Sequence, residues 1–201
     1  MRKKAWALIA ATALVTTLFA TAAAAGSRET ADLFGQGMGG PVVGVASIRR
    51  GASSVTASVS MPTPVNYAVP PGATSSGELG SPAAFSLWVF IFFNPEECAA
   101  AICGPADLAN PDVVGAGYNA GGHLVSGPHL TISGIANPQS QPFGPGTLET
   151  IGQALDLGYN IADAEIHVAV APHGKLDPSL LPAQIGTPAG TPAFWWIALY
   201  N

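Results

Sequence analysis

Charged residues are scarce in this chain and make up only 9% of its 201 residues. Three of the seven basic residues fall within the first four positions. Beyond residue 25, four basic residues stand against twelve acidic ones, a formal charge of −8; the four are Arg28, Arg49, Arg50 and Lys175. Because four scattered cations cannot build a basic patch, nucleic acid and anionic membrane surfaces are poor partners for this protein.

The common catalytic signatures are also missing. The sequence has no G-x-S-x-G, no H-E-x-x-H, no phosphate-binding loop with its lysine and no dinucleotide-binding glycine fingerprint. Hydrolase, kinase and dehydrogenase functions therefore lack support, and no catalytic residue is assigned.

Cysteine is limited to Cys98 and Cys103, separated by four residues. A redox-active C-x-x-C pair needs two intervening residues, so the spacing favours a structural disulfide that closes a small loop. Such a disulfide fits an oxidising, extracytoplasmic compartment.

The N-terminus has the pattern of a Sec-type signal peptide over residues 1–25. Arg2, Lys3 and Lys4 precede an apolar run over 5–19, and three alanines at 23–25 provide a small-residue cleavage site. No cysteine for lipid attachment follows, and no twin-arginine pair precedes the run. The sequence predicts a secreted or periplasmic protein with no membrane span after cleavage, a flexible leader over 26–40 and one domain over 41–201.

The most informative stretch is 85–104, FSLWVFIFFNPEECAAAICG. Alternate residues of a strand point to opposite faces, and both sets are apolar over 86–94, which predicts a central strand covered on both sides. The run is too short for a membrane helix, which needs about 20 apolar residues. Pro95 should end the strand, and the two cysteines should clamp the loop that follows.

Glycine and proline are abundant, 24 and 18 residues respectively, and they separate several short apolar segments. The sequence predicts hairpins with turns at 51–53 and 126–128, strands over 163–171 and 194–200, and short helical segments over 148–156 and 178–184. Pro172 is expected to end the first of those strands. We therefore predict an all-β fold: an antiparallel, Greek-key-like β-sandwich with one or two short helices in loops.

The sharpest candidate site lies at the 163–171 strand. Asp163, Glu165 and His167 should share one strand face, with His173 just beyond the strand end. Two histidines with a carboxylate are a recognised ligand set for zinc, iron or copper, so a divalent metal ion is a possible cofactor. The alternative is a hydrogen-bonded structural pair in which a carboxylate or carbonyl satisfies His167.

Two further clusters are possible. His123 and His129 flank a predicted turn and could join His167 and His173, although exposed turn histidines are the simpler interpretation. Four acids crowd the cysteine loop and could bind calcium with loop carbonyls: Glu96, Glu97, Asp107 and Asp112.

Four aromatic residues are candidates for an exposed contact face, namely Tyr67, Tyr118, Trp195 and Tyr200. Such faces on β-domains can bind carbohydrate or a cell-surface protein, while core packing is the alternative for Trp195 and Trp196.

Two blocks of sequence carry a resemblance: FNPEEC over 93–98 with CGPAD over 103–107, and AEIH over 164–167 with HG at 173–174. The region 87–184 resembles a group of uncharacterised secreted bacterial proteins with an FNPxxC…CGxxD block and an AEIH…HG block. Its members often carry further cysteines near the C-terminus, which this chain lacks. The late Ile166-His167 strand is also faintly similar to chordin-type (CHRD) domains, which are β-sandwich modules. The resemblance implies secretion and a shared fold, and it implies no activity.

The sequence thus predicts a secreted, extracytoplasmic β-sandwich protein of structural or binding type. The alternative is a metal-binding protein or metal-dependent enzyme that uses Glu165, His167 and His173.

Overall fold

The computed structural model describes residues 26–37, 39–71, 81–143 and 150–201. The predicted signal peptide lies outside these residues. Within them the chain forms nine strands: β1 Arg28–Phe34, β2 Val42–Arg50, β3 Val55–Pro62, β4 Ala83–Phe92, β5 Gly115–Val125, β6 His129–Ala136, β7 Pro142–Phe143, β8 Glu165–Lys175 and β9 Trp196–Tyr200. Two short helices lie in the connections, α1 Ile151–Asp156 and α2 Ala183–Gly186.

All nine strands belong to one antiparallel sheet with the order β6-β3-β2-β1-β9-β8-β4-β5-β7. The all-β prediction is confirmed, but the strands form one continuous sheet instead of the two sheets of a sandwich. The sheet curls until β6 lies against β5, and the backbones approach so closely that a Cβ at Gly134 would collide with the carbonyl of Ala120. The β1–β9 pairing that joins the two halves of the sheet depends on contacts distant in sequence, which a local pattern does not contain.

β4 lies near the middle of the sheet between β8 and β5, as its two apolar faces predict. Leu87, Val89 and Ile91 point into the large core enclosed by the curl. Trp88 and Phe92 point to the outer face, where each is covered by a smaller apolar cluster beneath the loops. The outer face of the sheet at β4 is therefore partly buried and not fully exposed to solvent.

The expected leader is wrong, because Arg28–Phe34 forms β1 and pairs along its whole length with β2. β1 carries alternating side chains of which only Leu33 is fully buried, a pattern too weak to distinguish from a loop by sequence. The predicted hairpin at 51–53 is confirmed, since β2 pairs with β3. The strands beside the 126–128 turn also exist, but β5 pairs with β4 and β6 with β3.

Pro172 does not end the late strand, since β8 continues to Lys175. The β4–β8 register shifts between Ala83 and Phe85, directly opposite this proline, so the irregular ladder tolerates a residue without an N–H. At the other end the strand starts at Glu165, and Asp163 closes a 3₁₀ turn.

The short-helix predictions are met in part. α1 ends at Asp156 as predicted and is capped by Thr150, whose Oγ1 accepts from the N–H of Gln153 at 3.1 Å. Residues 148–149 lie outside the described part of the chain. The second helix, α2, starts later than predicted, at Ala183 after Pro182, and only its first half overlaps 178–184.

Candidate functional site

A pocket opens on the outer face of the sheet, and we call it the outer pocket. Its floor comes from three neighbouring strands: Phe90 and Phe92 on β4, Ala169 on β8 and Ile197 on β9. Phe90 pairs with His167 across the β4–β8 ladder, and Ala169 pairs with Ile197 across the β8–β9 ladder. Paired residues of antiparallel strands share a face, so these side chains converge on one surface.

One wall is the disulfide loop, which contributes Cys103, Gly104, Pro105 and Leu108. The predicted Cys98–Cys103 bond is confirmed, with an S–S distance of 2.07 Å. Partly buried hydrogen bonds hold the loop in place as well as the covalent link, so the wall is a fixed part of the fold.

Those hydrogen bonds come from two side chains of the sequence blocks noted above. Asp107 accepts from the backbone N–H of Ala99 at 2.9 Å and of Gly104 at 2.7 Å. Asn94 accepts from the N–H of Val114 at 2.6 Å and donates to the carbonyl of Asp112 at 2.9 Å. Both side chains therefore have structural roles, as turn-closing groups.

The opposite wall is the segment before β9, with Gly190, Thr191, Pro192 and Trp195. The Trp195 ring stacks on Phe90, with centroids 5.7 Å apart and an interplanar angle of 21°. Its indole N–H donates to the carbonyl of Ala189 at 2.7 Å, which fixes the ring orientation. Phe143 on β7, 45% exposed, stands at the rim.

The cavity measures about 200 Å³. Among its described lining residues only His167, Thr191 and Trp195 carry a polar side-chain atom, and the Trp195 N–H is already used by Ala189. The outer pocket is thus an aromatic and aliphatic cavity with few polar groups, the usual character of a small-molecule site.

His167 is the polar group at the floor of the pocket, and Glu165 orients it. Glu165 Oε1 lies 2.6 Å from His167 Nε2 and accepts from the backbone N–H of Cys103 at 2.8 Å. The His167 ring also packs against Phe92, with centroids 5.1 Å apart. Both polar residues are buried, at 3% exposure for Glu165 and 8% for His167. One buried carboxylate therefore links the imidazole to the disulfide loop.

Arg50 fixes the segment that enters β8 beside Glu165. Its Nε pairs with Glu29 Oε1 at 2.9 Å, and its Nη1 donates to the carbonyls of Ile161, at 3.0 Å, and of Ala164. This arginine therefore ties β1 and β2 to the start of the strand that carries the site.

His173 belongs to a different environment. Its Nε2 lies 2.7 Å from Ser86 Oγ, and the Trp88 indole N–H donates to the same oxygen at 2.7 Å. Burial lowers the pKa of His173 to about 4. Six residues of strand separate it from His167, about 20 Å at the usual rise.

The predicted metal set is therefore not assembled. Glu165 and His167 are in contact as the strand pattern predicts, but the continuation of β8 carries His173 away, and Asp163 lies exposed on its 3₁₀ turn. Over residues 26–37, 39–71, 81–143 and 150–201, no group of three or more His, Cys, Asp or Glu side chains is placed to hold a metal ion. The hydrogen-bonded pair is the alternative that the geometry favours.

The other candidate clusters are also dispersed. His123 and His129 are exposed on β5 and β6. Glu96, Glu97 and Asp112 are exposed, while the two carboxylate oxygens of Asp107 are engaged by backbone N–H groups.

The aromatic residues expected on the surface are buried. The exposures of Tyr67, Tyr118, Trp195 and Tyr200 are all 8% or less. Tyr67, Tyr118 and Tyr200 pack in the enclosed core, and burial raises the pKa of Tyr118. Trp195 alone contributes to the outer pocket. Sequence analysis missed this role because the pocket joins four segments that are far apart along the chain.

No protein-family model, no curated protein and no solved structure matches this chain. The resemblance to secreted bacterial proteins and to CHRD domains accordingly stays a prediction. Among the described residues, no helix has the length and apolar character needed to cross a membrane.

Proposed function

We propose that this protein is an extracytoplasmic binding protein that holds a small, mostly apolar molecule in the outer pocket. The observation that carries the proposal is a preformed cavity of about 200 Å³ with apolar walls and one buried imidazole in its floor. Ligand sites are typically concave and apolar, with a few placed polar groups that fix the ligand's orientation.

Two glycines that shape the pocket also support a binding function. Gly190 adopts a φ of +72°, and a Cβ there would collide with Pro70, so the wall needs glycine. Gly117 on β5 lies beneath the Phe90 ring, where a Cβ would stand 2.5 Å from Phe90 Cε1. Gly117 thus lets the Phe90 ring occupy its place in the floor, and Gly190 lets the wall segment pass close to Pro70.

Ser86 and His173 form a second pair, and a serine beside a histidine can act as a nucleophile with its general base. Ser86 is 0% exposed and His173 only 6%, so no substrate reaches the serine in this structure. Binding in the outer pocket is better supported than catalysis at that pair.

The small number of polar lining groups favours an apolar ligand over carbohydrate, since sugars need several hydrogen-bond partners. The extracytoplasmic location rests on the pattern of residues 1–25 and agrees with the disulfide.

The test is binding of toluene, measured by saturation-transfer NMR and by titration of protein amide resonances. Ala169→Phe fills the cavity from its floor, and Ala52→Phe on the exposed β2–β3 turn is the matched control. The proposal predicts saturable binding to the wild type and to Ala52→Phe, and loss of binding in folded Ala169→Phe. Equal binding to all three proteins would refute it, and so would failure of the wild type to bind either toluene or its hydroxylated counterpart, phenol.

A further inference from the structure

The imidazole of His167 has one engaged nitrogen and one available nitrogen. Nε2 contacts Glu165, whereas Nδ1 has no hydrogen-bond partner in the part of the chain that the structure describes. The side chain is 11% exposed and lines the outer pocket. Nδ1 is not among the fully buried atoms that lack a partner in the described residues, so it keeps accessible surface, and a ligand in the pocket is in position to bind it.

Glu165 sets which nitrogen carries the hydrogen. Its Oε1 already accepts from the N–H of Cys103, so this oxygen acts as an acceptor. The same oxygen lies 2.6 Å from His167 Nε2, and an ionised carboxylate can only accept. The geometry therefore places a hydrogen on Nε2, and in the neutral form of the ring Nδ1 is a lone-pair acceptor. The ligand must therefore supply a hydrogen-bond donor.

The volume of the cavity matches a ligand of about one ring. An engineered cavity of about 150 Å³ holds benzene, so a cavity of about 200 Å³ accommodates a six-membered aromatic ring with a small substituent. Phe90 and Trp195 provide aromatic surface against which such a ring can pack.

The surrounding charge opposes an anionic ligand. Glu165 is buried directly behind His167, and Glu96 and Asp163 line an open crevice on its other side. The described lining of the outer pocket includes no lysine or arginine. A carboxylate would meet negative potential without a compensating cation.

Resting on the proposed function, we infer that the ligand is a neutral aromatic ring bearing a hydroxyl group, a compound of the phenol class. Its O–H donates to His167 Nδ1, and its ring packs against Phe90 and Trp195. Glu165 acts as a positioning residue, because it fixes the tautomer of the His167 ring. That tautomer makes the pocket select a ligand with a hydrogen-bond donor.

The experiment compares phenol, toluene and benzoate by NMR titration of the full chain. Phenol and toluene differ only by O–H against methyl, and toluene is the more hydrophobic. We expect phenol to bind about tenfold tighter than toluene, because one additional satisfied hydrogen bond changes the dissociation constant by about that factor. Benzoate should bind weakest of the three.

Two variants test the roles of the residues. Folded His167→Phe should lose the preference for phenol, while His123→Phe, on an exposed part of β5, should keep it. In Glu165→Gln, the amide oxygen can take the position of Oε1 and accept from both the Cys103 N–H and the His167 Nε2–H, so the preference for phenol should persist. In Glu165→Leu the acceptor is lost, the hydrogen is no longer held on Nε2, and the preference for phenol should fall. Imidazole ¹⁵N shifts report the tautomer directly in each protein.

The ligand series on the wild type keeps the inference falsifiable even when a variant does not fold. Toluene that binds as tightly as phenol, or tighter, overturns the inference and leaves the proposed function intact. Failure of both phenol and toluene to bind overturns the proposed function as well.

Discussion

Acidification should destabilise the folded protein through His173. Burial lowers the pKa of this imidazole from 6.5 to about 4, so between these values the unfolded chain binds a proton that the folded chain does not. The contribution of His173 is fully present above about pH 6.5 and is lost progressively as the pH falls toward about 4. At full burial this pKa difference corresponds to about 3 kcal/mol, and partial solvent access reduces the expected loss to about 2 kcal/mol.

The assay is urea denaturation near pH 7 and near pH 4 for the wild type and for His173→Gln, which cannot titrate at this position. The other histidines are present in both proteins, so their effects cancel in the comparison. The wild type should lose about 2 kcal/mol more unfolding free energy than the variant over this range. Equal losses in the two proteins would refute the assignment of His173 as a buried neutral group.

Two further predictions concern the walls of the outer pocket. Replacing Cys98 and Cys103 by alanine should lower the unfolding free energy by about 2 kcal/mol, because the disulfide no longer restricts the loop in the unfolded chain. The same change should weaken toluene binding. Denaturation and titration curves that match those of the oxidised wild type would contradict this. Gly190→Ala should cost about 1–3 kcal/mol because it introduces a positive-φ side chain that collides with Pro70, whereas Gly127→Ala, which meets open space, should be nearly neutral in the same denaturation assay.

The local elements followed from the sequence because their signals are local. The aromatic run of β4 has two apolar faces, and the structure buries both. Glu165 and His167 are two residues apart, so strand periodicity alone places them on one face, and their contact confirms it. The disulfide followed from the spacing of the only two cysteines.

The errors came from effects that a local pattern does not contain. Pro172 stays within β8 because the ladder opposite it is irregular, and this carries His173 away from the predicted metal set. The single curled sheet depends on the contact between β1 and β9, two segments at opposite ends of the described chain. The outer pocket likewise needs Phe90, His167 and Trp195 in one place, and only the strand order brings them there.

The most direct test of the account is to follow the Trp195 indole N–H resonance during titration with a single-ring aromatic ligand. Occupation of the outer pocket should shift this resonance and the amides of Ala169 and Ile197 along one saturable curve. Absence of saturable shifts there, or shifts confined to the groove of Val42, Met61 and Trp196, would contradict the claim that this cavity is the binding site.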